Sequence, residues 1–576
     1  MKGWLKIALL IIIIFIAVGC FYYLVLSSFF KGAPPITRNS YLLLDIYGEL
    51  PERETGDIFT QIFAEDIPTL EGLLHCIRKA KIDPKIVGLI IRPLGSSIGW
   101  AKTEELKQVL RDFKTANKPI YVYLEIGANK DYYLALEGDM LFGSPTGALL
   151  INGLLGAGYF FKGALDKLGI EADFVAHGQY KDYPDMFTRK EMSPATREVM
   201  HALLDDFYKR YLEDISQRRN LDIKQVKALI DKGLYTLTES KNVGLIDTLM
   251  YFNEFKDYLE EKDNKKPRFV SYSRYKKVPF NKLGIKAKEN FALIYCVGSI
   301  VSGIGDDFSQ DGLIISQGMA NTIRSAAQNK KIKAIILRID SPGGSGIASN
   351  IIWREVIEAR KEKPVIVTMS DVAASGGYYI AMSADSIVAQ PSSIVGSIGV
   401  FAGKFSWGKL YNKLGISKDE VPKGKNADIF SETKIFKVNQ RDLLKKTIAW
   451  FYDDFVTKAA EGRNLTYQEI DQVAQGRVWT GTQSLENGLI DKLGGLHDAI
   501  QIAKNMVGIP KESHVILRTY PKPRSFIDRV FSGRLQSKII SIVNYTTGRS
   551  RNYLNGIFHY RDFEPLYLMP FYPEIN

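Results

Sequence analysis

Residues 371–385 read DVAASGGYYIAMSAD, and residues 125–139 read EIGANKDYYLALEGD. Aligned without gaps, the two segments share an alanine, a Tyr-Tyr pair, a second alanine and an aspartate at matching positions. Ser375-Gly376-Gly377 in the later segment stands where Asn129-Lys130-Asp131 stands in the earlier one. The chain therefore carries two copies of one segment, and only the later copy has a hydroxyl followed by glycines.

The similarity between the two halves extends well beyond this segment. Lys85–Arg92 matches Lys331–Arg338 at an offset of 246 residues, and the opening pair keeps the same offset. Gly244–Asp247 matches Gly488–Asp491 at an offset of 244, which indicates a two-residue deletion. Chance matches do not hold register over roughly 200 residues, so the sequence predicts a tandem duplication.

Short apolar runs alternate with helical patterns inside each copy. In the second copy, KAIILRI (333–339) and KPVIVTM (363–369) are typical of buried strands, and ASNIIWREVIEARKE (348–362) between them has apolar residues at helical spacing. Strand, helix and strand in series predict βαβ units with a mostly parallel sheet, and thus an α/β fold.

Composition and pattern changes divide the chain into five predicted parts. They are an N-terminal membrane anchor at 1–38, a first repeat at 39–260, an extended basic linker at 261–290, a second repeat at 291–512 and a tail at 513–576. The tail is basic and aromatic, and the sequence assigns it no role.

The bulk composition excludes several classes of protein. A chain of 576 residues with 45% apolar and 24% charged residues is globular and too long for one core. The net charge of +12 is spread along the chain without a zinc-finger or RNA-binding signature, which favours a solvated basic surface over nucleic-acid binding. Three cysteines and six scattered histidines form no disulfide framework or metal-ligand pattern, so no metal or other cofactor is predicted.

The N-terminus carries a membrane signal. Ile7–Leu26 is a run of twenty residues without a charge, long enough as a helix to cross a hydrocarbon core of about 30 Å. A lipoprotein cleavage site is suggested at 17–20, but the apolar run continues through Phe21–Leu24, as an uncut anchor would. We predict one membrane-spanning helix at about residues 7–30; lysines on both sides leave its orientation open.

Two glycine-bearing turns follow neighbouring strands of the second copy. Ser341–Gly344 follows one strand, and Ala373–Gly377 follows the next and opens an apolar helix. Because the carboxyl ends of adjacent parallel strands meet at one edge, the turns are expected to lie together. A serine at a strand-to-helix turn is accessible as a nucleophile, and neighbouring N–H groups can hold a developing oxyanion.

Glycines that merely reverse the chain are the alternative interpretation of these turns. The first copy argues against it, because Gly95–Ile98 and Asn129-Lys130 stand at the equivalent places. The fold evidently does without the serine and its following glycine, which indicates that they have a chemical role.

Four segments resemble signal peptide peptidase A, also called protease IV, in its long, duplicated, membrane-anchored bacterial form within peptidase family S49. SPGGS (341–345), DVAASGGYYIA (371–381) and VGSIGVF (395–401) resemble its serine half, and GQYKDYPDMFTRKEMSP (178–194) resembles its lysine-bearing segment. The resemblance covers the chain from the anchor to about residue 510 and implies a fold like that of the Clp protease and crotonase superfamily.

The resemblance implies a serine–lysine dyad, with Ser375 as nucleophile and Lys181 as general base. Ser397 would orient the lysine amine. The oxyanion hole would use the Gly376 amide and a glycine amide of the 341–344 turn, Gly344 in preference to Gly343. Asp340 stands before that turn where many relatives have asparagine, and it either faces outward or tunes the site.

The resemblance also implies a function and a location. These are a membrane-anchored serine endopeptidase that degrades remnant signal peptides and other unfolded or membrane-released peptides, on the outer side of a bacterial inner membrane. The anchor would contact membrane lipid, and the family's assembly would be a homo-oligomer, a tetramer by resemblance.

The duplication supports the dyad independently. At the offset of 246, the partner of Lys181 in the second copy is Ala427, so one copy has the lysine and the other has the serine. A lysine with its ordinary pKa near 10.4 is protonated at neutral pH and cannot accept a proton. Desolvation lowers that pKa, so we expect the site at an interface between copies or between subunits.

Two other functions remain as alternatives. A crotonase-like enzyme acting on an acyl thioester would use the same kind of oxyanion hole, but its chemistry usually recruits acidic groups. An inert membrane scaffold of the same fold would need neither Ser375 nor Lys181, and both are intact.

Overall fold

The structure is a computed structural model, and it describes residues 36–53, 67–284, 287–304, 312–520, 564–569 and 574–575 together with the isolated positions 13, 16 and 19. The predicted membrane helix therefore lies outside the described residues. Within the described ranges, no helix combines the length and the hydropathy needed to cross a bilayer.

The strands of the described residues form four sheets. In chain order they are β1 Ser40–Gly48, β2 Ile86–Ser96, β3 Ile120–Gly127, β4 Met140–Leu150, β5 Gly156–Ala157, β6 Glu171–His177, β7 Leu234–Thr236, β8 Thr248–Leu249, β9 Arg268–Ser271, β10 Glu289–Val297, β11 Ser299–Val301, β12 Leu313–Ile315, β13 Ile332–Ser341, β14 Gly343–Ser345, β15 Val365–Ala374, β16 Ser386–Ala389, β17 Ile394–Gly396, β18 Val400–Ser406, β19 Val478–Thr480, β20 Lys492–Leu493, β21 Val515–Tyr520, β22 Leu566–Leu568 and β23 Glu574–Ile575.

Helices cover the sheets and connect the strands. The α-helices are Leu70–Ile82, Trp100–Lys114, Asn129–Ala135, Lys162–Leu168, Asp185–Thr188, Pro194–Arg219, Ile223–Lys232, Leu237–Asn242, Phe252–Asp263, Tyr272–Lys276, Ser316–Gln328, Gly346–Glu362, Gly376–Ala381, Gly408–Lys413, Val438–Arg463, Tyr467–Val473, Gly481–Glu486 and Leu496–Met506, and Phe280–Leu283 is a 3₁₀ helix.

Two large sheets have matching strand orders. One sheet runs β7-β4-β3-β2-β1-β9 with β8 beside β4, and the other runs β19-β17-β15-β13-β10-β21 with β16 beside β15 and β20. Neighbouring strands are parallel in both, except for the antiparallel pairs β4/β7 and β17/β19. This repetition confirms the predicted tandem α/β duplication with mostly parallel sheets.

The central strands of both sheets are apolar along most of their length. In β13, eight of the ten residues are buried, and every residue from Ala334 to Ile339 is among them. Continuous apolar runs are typical of parallel strands that have helices on both faces. The runs at 333–339 and 363–369 therefore carried enough information to locate β13 and β15.

Residues 261–290 are not the extended linker that the sequence suggested. They contain β9, which pairs in parallel with β1, and the helix Tyr272–Lys276, whose Tyr275 carbonyl accepts a hydrogen bond of 3.1 Å from Lys79 Nζ. β21 pairs with β10 in the same way, so each large sheet ends in a strand beyond the predicted boundary of its repeat. The charges that suggested a linker are tolerated because an edge strand exposes one side to solvent.

A third sheet joins the two repeats. Its order is β12-β11-β14-β22-β18-β6, in which β6 comes from the first repeat and β18 from the second. These two strands pair antiparallel from His177↔Val400 to Glu171↔Ser406. The pairing brings the segment after β6 to the edge of the second repeat's sheet, where β13 and β15 end.

Candidate active site

The three side chains expected to form the site meet in the structure. Lys181 Nζ lies 2.7 Å from Ser375 Oγ, 2.9 Å from Ser397 Oγ and 3.1 Å from the Ser397 carbonyl oxygen. Lys181 is 2% exposed, and both serines are 0% exposed. The contact lies between the two repeats of a single chain.

Both serines have a backbone conformation that is unusual for their type. Ser375 follows β15 with φ +55° and Ser397 follows β17 with φ +53°. The other described non-glycine residues with positive φ are asparagines and one glutamine. Residues with a Cβ other than Asn and Asp rarely adopt this region, and such strain is concentrated at functional sites.

Backbone hydrogen bonds hold these two turns. The Ser375 amide donates to the Gly396 carbonyl at 2.6 Å, and the Ser397 amide donates to the Arg477 carbonyl at 2.7 Å. The first bond ties Ser375 to the last residue of the short strand β17, Gly396, and Ser397 is the next residue of the chain. Their separation is set by backbone, not by mobile side chains.

A turn of the second repeat supports Lys181. The Tyr180 amide donates to the Gln475 carbonyl at 2.7 Å, and a Cβ built on Gly476 would lie 2.5 Å from the Lys181 nitrogen. Gly476 has φ +81°, so both its conformation and the close approach require glycine. The sequence carries no signal for the role of this turn, because Gln475-Gly476 resembles any short turn between a helix and a strand.

Burial dominates the electrostatics of the lysine. It holds the pKa of the Lys181 amine well below its usual range, and the neighbouring Asp182 carboxylate only partly opposes it. Burial also raises the pKa of Asp182 to about 6. A neutral Lys181 amine has a free lone pair and can act as a base towards the Ser375 hydroxyl.

The glycines of the two turns lie side by side. The Gly343 amide donates to Ser341 Oγ at 3.2 Å, so it is already engaged within its own turn. A Cβ built on Gly376 would lie 3.0 Å from the Gly344 nitrogen. The same Cβ would lie 3.1 Å from the Gly343 Cα, so the Gly376 backbone adjoins both glycines of the 341–344 turn.

Asp340 faces inward, towards the first repeat. Its carboxylate contacts Lys102 Nζ at 2.9 Å and accepts a hydrogen bond from the Val372 amide at 3.2 Å. Lys102 Nζ also lies 3.6 Å from Asp371 and 3.5 Å from Glu52. Burial raises the pKa of the Asp340 carboxyl to about 6, and the Lys102 cation opposes that rise. Lys102 thus links the strands that lead into both glycine turns.

Ser375 and its counterpart Asn129 occupy equivalent positions in the two repeats, and we call this position the station of each repeat. In the first repeat the station is filled by a side-chain amide. Asn129 Nδ2 donates to Asn152 Oδ1 at 3.0 Å and to the Gly153 carbonyl at 2.8 Å. Ala427, the counterpart of Lys181, is exposed. Each repeat therefore lacks the group that the other one supplies. In the described part of the chain, no cluster of three or more His, Cys, Asp or Glu side chains is placed to hold a metal ion.

Comparison with known proteins now identifies the family. The profile of Peptidase family S49 matches residues 112–266 and 357–509. The chain belongs to peptidase family S49. The two matched stretches fall in different repeats, so the duplication produced two S49 domains in tandem.

Full-length relatives of this S49 peptidase carry protease names. The chain is 37% identical to "Serine protease SPPA, chloroplastic" of Arabidopsis thaliana, over 81% of this chain and 69% of the relative. It is 31% identical to "Protease 4" of Salmonella typhi, over 83% of this chain and 80% of the relative. For "Protease 4" of Haemophilus influenzae, the values are 28%, 85% and 82%. The protein is a serine peptidase, and an acyl-thioester enzyme is not favoured.

Proposed function

We propose that this S49 peptidase cleaves peptides with a dyad of Ser375 and Lys181. The observation that carries the proposal is the contact of 2.7 Å between Lys181 Nζ and Ser375 Oγ in a buried site. A serine hydroxyl is a weak nucleophile until a base accepts its proton, and a desolvated lysine amine is such a base.

The arrangement supports a defined sequence of proton transfers. Ser375 Oγ attacks the peptide carbonyl while its proton moves to Lys181 Nζ, and the resulting ammonium then protonates the leaving amine. A water molecule, deprotonated by the same amine, then attacks the acyl carbon; the ester bond to Ser375 breaks, and the Lys181 ammonium returns the proton to Ser375 Oγ. The Ser397 hydroxyl, 2.9 Å from Nζ, orients the amine throughout.

The oxyanion that forms during attack needs donors at a fixed place. We assign this role to the amides of Gly376 and Gly344. They adjoin at the start of the Ser375 turn, whereas the Gly343 amide is engaged by Ser341. Removing one such donor typically costs about 10²- to 10³-fold in kcat.

The substrates we propose are remnant signal peptides and other unfolded or membrane-released peptides. An apolar cluster beside the dyad, formed by Tyr183, Met186, Phe187 and Phe401, suits the hydrophobic segments of such peptides. An extended peptide can lie against this cluster and remain within reach of Ser375.

A fluorogenic peptide ester tests the dyad. We expect the chain without residues 1–38 to hydrolyse it, and Ser375→Ala and Lys181→Ala each to abolish turnover. Lys409→Ala is the matched control, since Lys409 is exposed and pairs only with Glu171 among its described ion-pair contacts. Turnover in Lys181→Ala at the unsubstituted rate would contradict the dyad. Cleavage of an acyl-CoA without cleavage of the peptide ester would instead favour a thioester enzyme. Absence of turnover of both substrates would favour a scaffold.

For the N-terminus we propose a single-pass anchor that places the S49 domains on the outer side of a bacterial inner membrane. The uncharged run Ile7–Leu26, which is long enough to span the bilayer, supports the anchor, and the family resemblance supports the outer side. Fractionation of cells tests it: the full chain should require detergent for extraction, and a chain lacking residues 1–38 should not. Release of the full chain by high salt alone would refute the anchor.

We also propose a homo-oligomer, a tetramer by resemblance. In the second repeat, residues 417–423, the counterpart of β6, lack regular secondary structure, and Val421 is 87% exposed. In the first repeat, the counterpart of β18 exposes Leu155 and Tyr159. A head-to-tail contact between these surfaces would repeat the β6–β18 pairing between subunits. Light scattering of the chain without residues 1–38, in the absence of detergent, gives the mass, and a monomer at micromolar concentration would refute the oligomer.

A further inference from the structure

The C-terminal tail, to which the sequence assigned no role, enters the groove beside the dyad. β22 lies between β14 and β18 in the third sheet, antiparallel to both. β14 contains Gly343 and Gly344, and β18 pairs with the strand that leads to Lys181. Without β22, these two strands would face each other across a gap of one strand.

The register of β22 on β14 is set by hydrogen bonds on both sides of it. The Gly346 amide donates to the Pro565 carbonyl at 2.9 Å, and the Met569 amide donates to the Pro342 carbonyl at 2.8 Å. Hydrogen-bonded pairs alternate in an antiparallel ladder, so Gly344 and Tyr567, which lie midway between these two contacts, also form a hydrogen-bonded pair.

The Tyr567 carbonyl consequently points at the turn glycines. A Cβ built on Gly343 would lie 1.9 Å from the Tyr567 oxygen and 2.7 Å from the Gly376 nitrogen, so both atoms face the same point. In the ladder, Gly344 pairs with Tyr567, so the Gly344 amide donates to the Tyr567 carbonyl. That carbonyl therefore faces both amides that we assign to the oxyanion hole, those of Gly344 and Gly376. That is the position of the residue preceding a scissile bond.

The side chain of Tyr567 fills an aromatic pocket. It is 1% exposed, stacks on Tyr379 at 5.2 Å between ring centroids, and lies 5.0 Å from the Phe455 ring. Its hydroxyl donates to the Phe451 carbonyl at 3.2 Å. A pocket with aromatic walls and an acceptor at its end matches a tyrosine in shape and in polarity.

The neighbours of Tyr567 point the other way, as alternation along a strand requires. Leu568 packs in the apolar cluster with Tyr183 and Phe401, and Leu566 lies against the same cluster. Glu564 is hydrogen-bonded to Ser302 and Ser345, which fixes the start of the strand. Both faces of the tail strand are thus matched by the groove.

We propose that Leu566–Leu568 is a tethered ligand of the peptide groove, bound as a substrate strand, and that the groove selects a large aromatic side chain at the Tyr567 position. The inference rests on the proposed function for its kinetic readout, but its binding readout needs no catalysis. Tethering gives the tail a high effective concentration, so it competes with any peptide added in solution.

Binding of a labelled hexapeptide, EPLYLM, tests the proposal in the Ser375→Ala background. We expect it to bind a chain ending at residue 563 at least about tenfold more tightly than the full chain, since the groove is then free. In case that truncation impairs folding, Tyr567→Ala in the full chain provides a second comparison and should also bind more tightly. Tyr251→Ala, at an exposed tyrosine, should bind like the full chain.

A second peptide, EPLALM, tests the aromatic pocket. It should bind the truncated chain at least about tenfold more weakly than EPLYLM, because alanine leaves the pocket empty. If EPLYLM binds the full chain, the truncated chain and Tyr567→Ala with equal affinity, the proposal that the tail is a tethered ligand is overturned. Equal affinities of the two peptides would overturn the selectivity.

The kinetic readout separates this inference from the proposed function. With Ser375 present, Tyr567→Ala should lower KM for a peptide ester several-fold and leave kcat unchanged, as removal of a competing ligand does. Absence of hydrolysis in every variant, with binding as expected, would refute the peptidase and support the tail as a ligand. Hydrolysis with the same KM in all variants would refute the proposal that the tail is a ligand and would leave the proposed peptidase function unaffected.

Discussion

The two repeats use the same scaffold contacts but differ at one station. Tyr132 in the first repeat donates its hydroxyl to the Leu245 carbonyl at 2.8 Å, and Tyr378 in the second donates to the Leu489 carbonyl at 2.9 Å. These tyrosines stand three residues after Asn129 and Ser375, respectively. The helix that follows the station is therefore anchored in the same way in both repeats.

At the station itself the backbones differ. Ser375 has φ +55° and precedes its helix, whereas Asn129 is the first residue of the helix Asn129–Ala135 and shows no positive φ. The first repeat shows that the fold is stable with a relaxed backbone here. The strain at Ser375 is therefore a property of the site and not a requirement of the fold.

The largest effect is expected from giving the second repeat the side chain of the first. Ser375→Asn should lower kcat/KM at least about 10⁴-fold, because the nucleophile is lost. The free energy of unfolding should fall by about 1–3 kcal/mol, since the larger asparagine side chain enters a fully buried site. Peptide-ester turnover and urea unfolding measure the two. Asn129→Ser is the reverse change and should add no second activity in the Ser375→Ala background, because Lys181 contacts the other station; new turnover there would contradict this account.

Lys181→Met should lower kcat/KM about 10³-fold by removing the base. It should also change the pH dependence of stability. The pKa of Lys181 is lowered in the folded state, so between that value and the ordinary value of 10.5 the unfolded chain binds more protons. Lys181 thus makes the free energy of unfolding increase with pH in this window, and its stabilisation is lost as pH falls. Urea titrations at several pH values should show a shallower increase for Lys181→Met, and an unchanged slope would contradict a buried neutral amine.

A smaller effect is expected at Lys102, through which the first repeat contacts Asp340 and Asp371 of the second; we call this contact the clamp. Lys102→Met removes the cation shared by Asp340, Asp371 and Glu52, and should lower the free energy of unfolding by about 3 kcal/mol. The counterpart of Lys102 in the second repeat is Ala348, so the clamp exists once per chain. Asp340→Asn added to Lys102→Met should recover part of the loss in a double-mutant cycle, and additive losses would show that the two side chains are not coupled.

The smallest expected effect is a loss of stability that should be equal in the two repeats. Asn220 and Asn464 end equivalent helices with φ +53° and +55°. Alanine at either position should cost about 1 kcal/mol, because it lacks the tolerance of asparagine for this conformation, while glycine should cost nothing or stabilise. Thermal unfolding of both alanine variants measures this, and a large inequality would show that the scaffolds are less alike than their contacts indicate.

Much of the fold follows from local sequence signals. The apolar runs at 333–339 and 363–369 became β13 and β15, and the helical pattern at 348–362 became the helix Gly346–Glu362. Buried parallel strands are recognisable because both faces are apolar. β9 was missed because it is a short edge strand flanked by lysines, and β22 because its partners lie more than 150 residues away along the chain.

The candidate site followed from comparison of the repeats and from family resemblance. Ser375, Lys181 and Ser397 meet as expected, and the structure adds Lys102 and the Gln475-Gly476 turn. Neither addition has a local signature. A lysine in a helix and a glycine in a turn acquire their roles only from tertiary contacts, which a single sequence does not display.

The antiparallel pairing of β6 with β18 also has a consequence for biosynthesis. During translation the lysine half leaves the ribosome more than 200 residues before the strand it must pair with. Under the proposed dyad, a nascent or prematurely ended chain would hold the base without the nucleophile and could not digest itself or its neighbours. Proteolytic competence would then arise only once synthesis has passed the second repeat and the halves have docked.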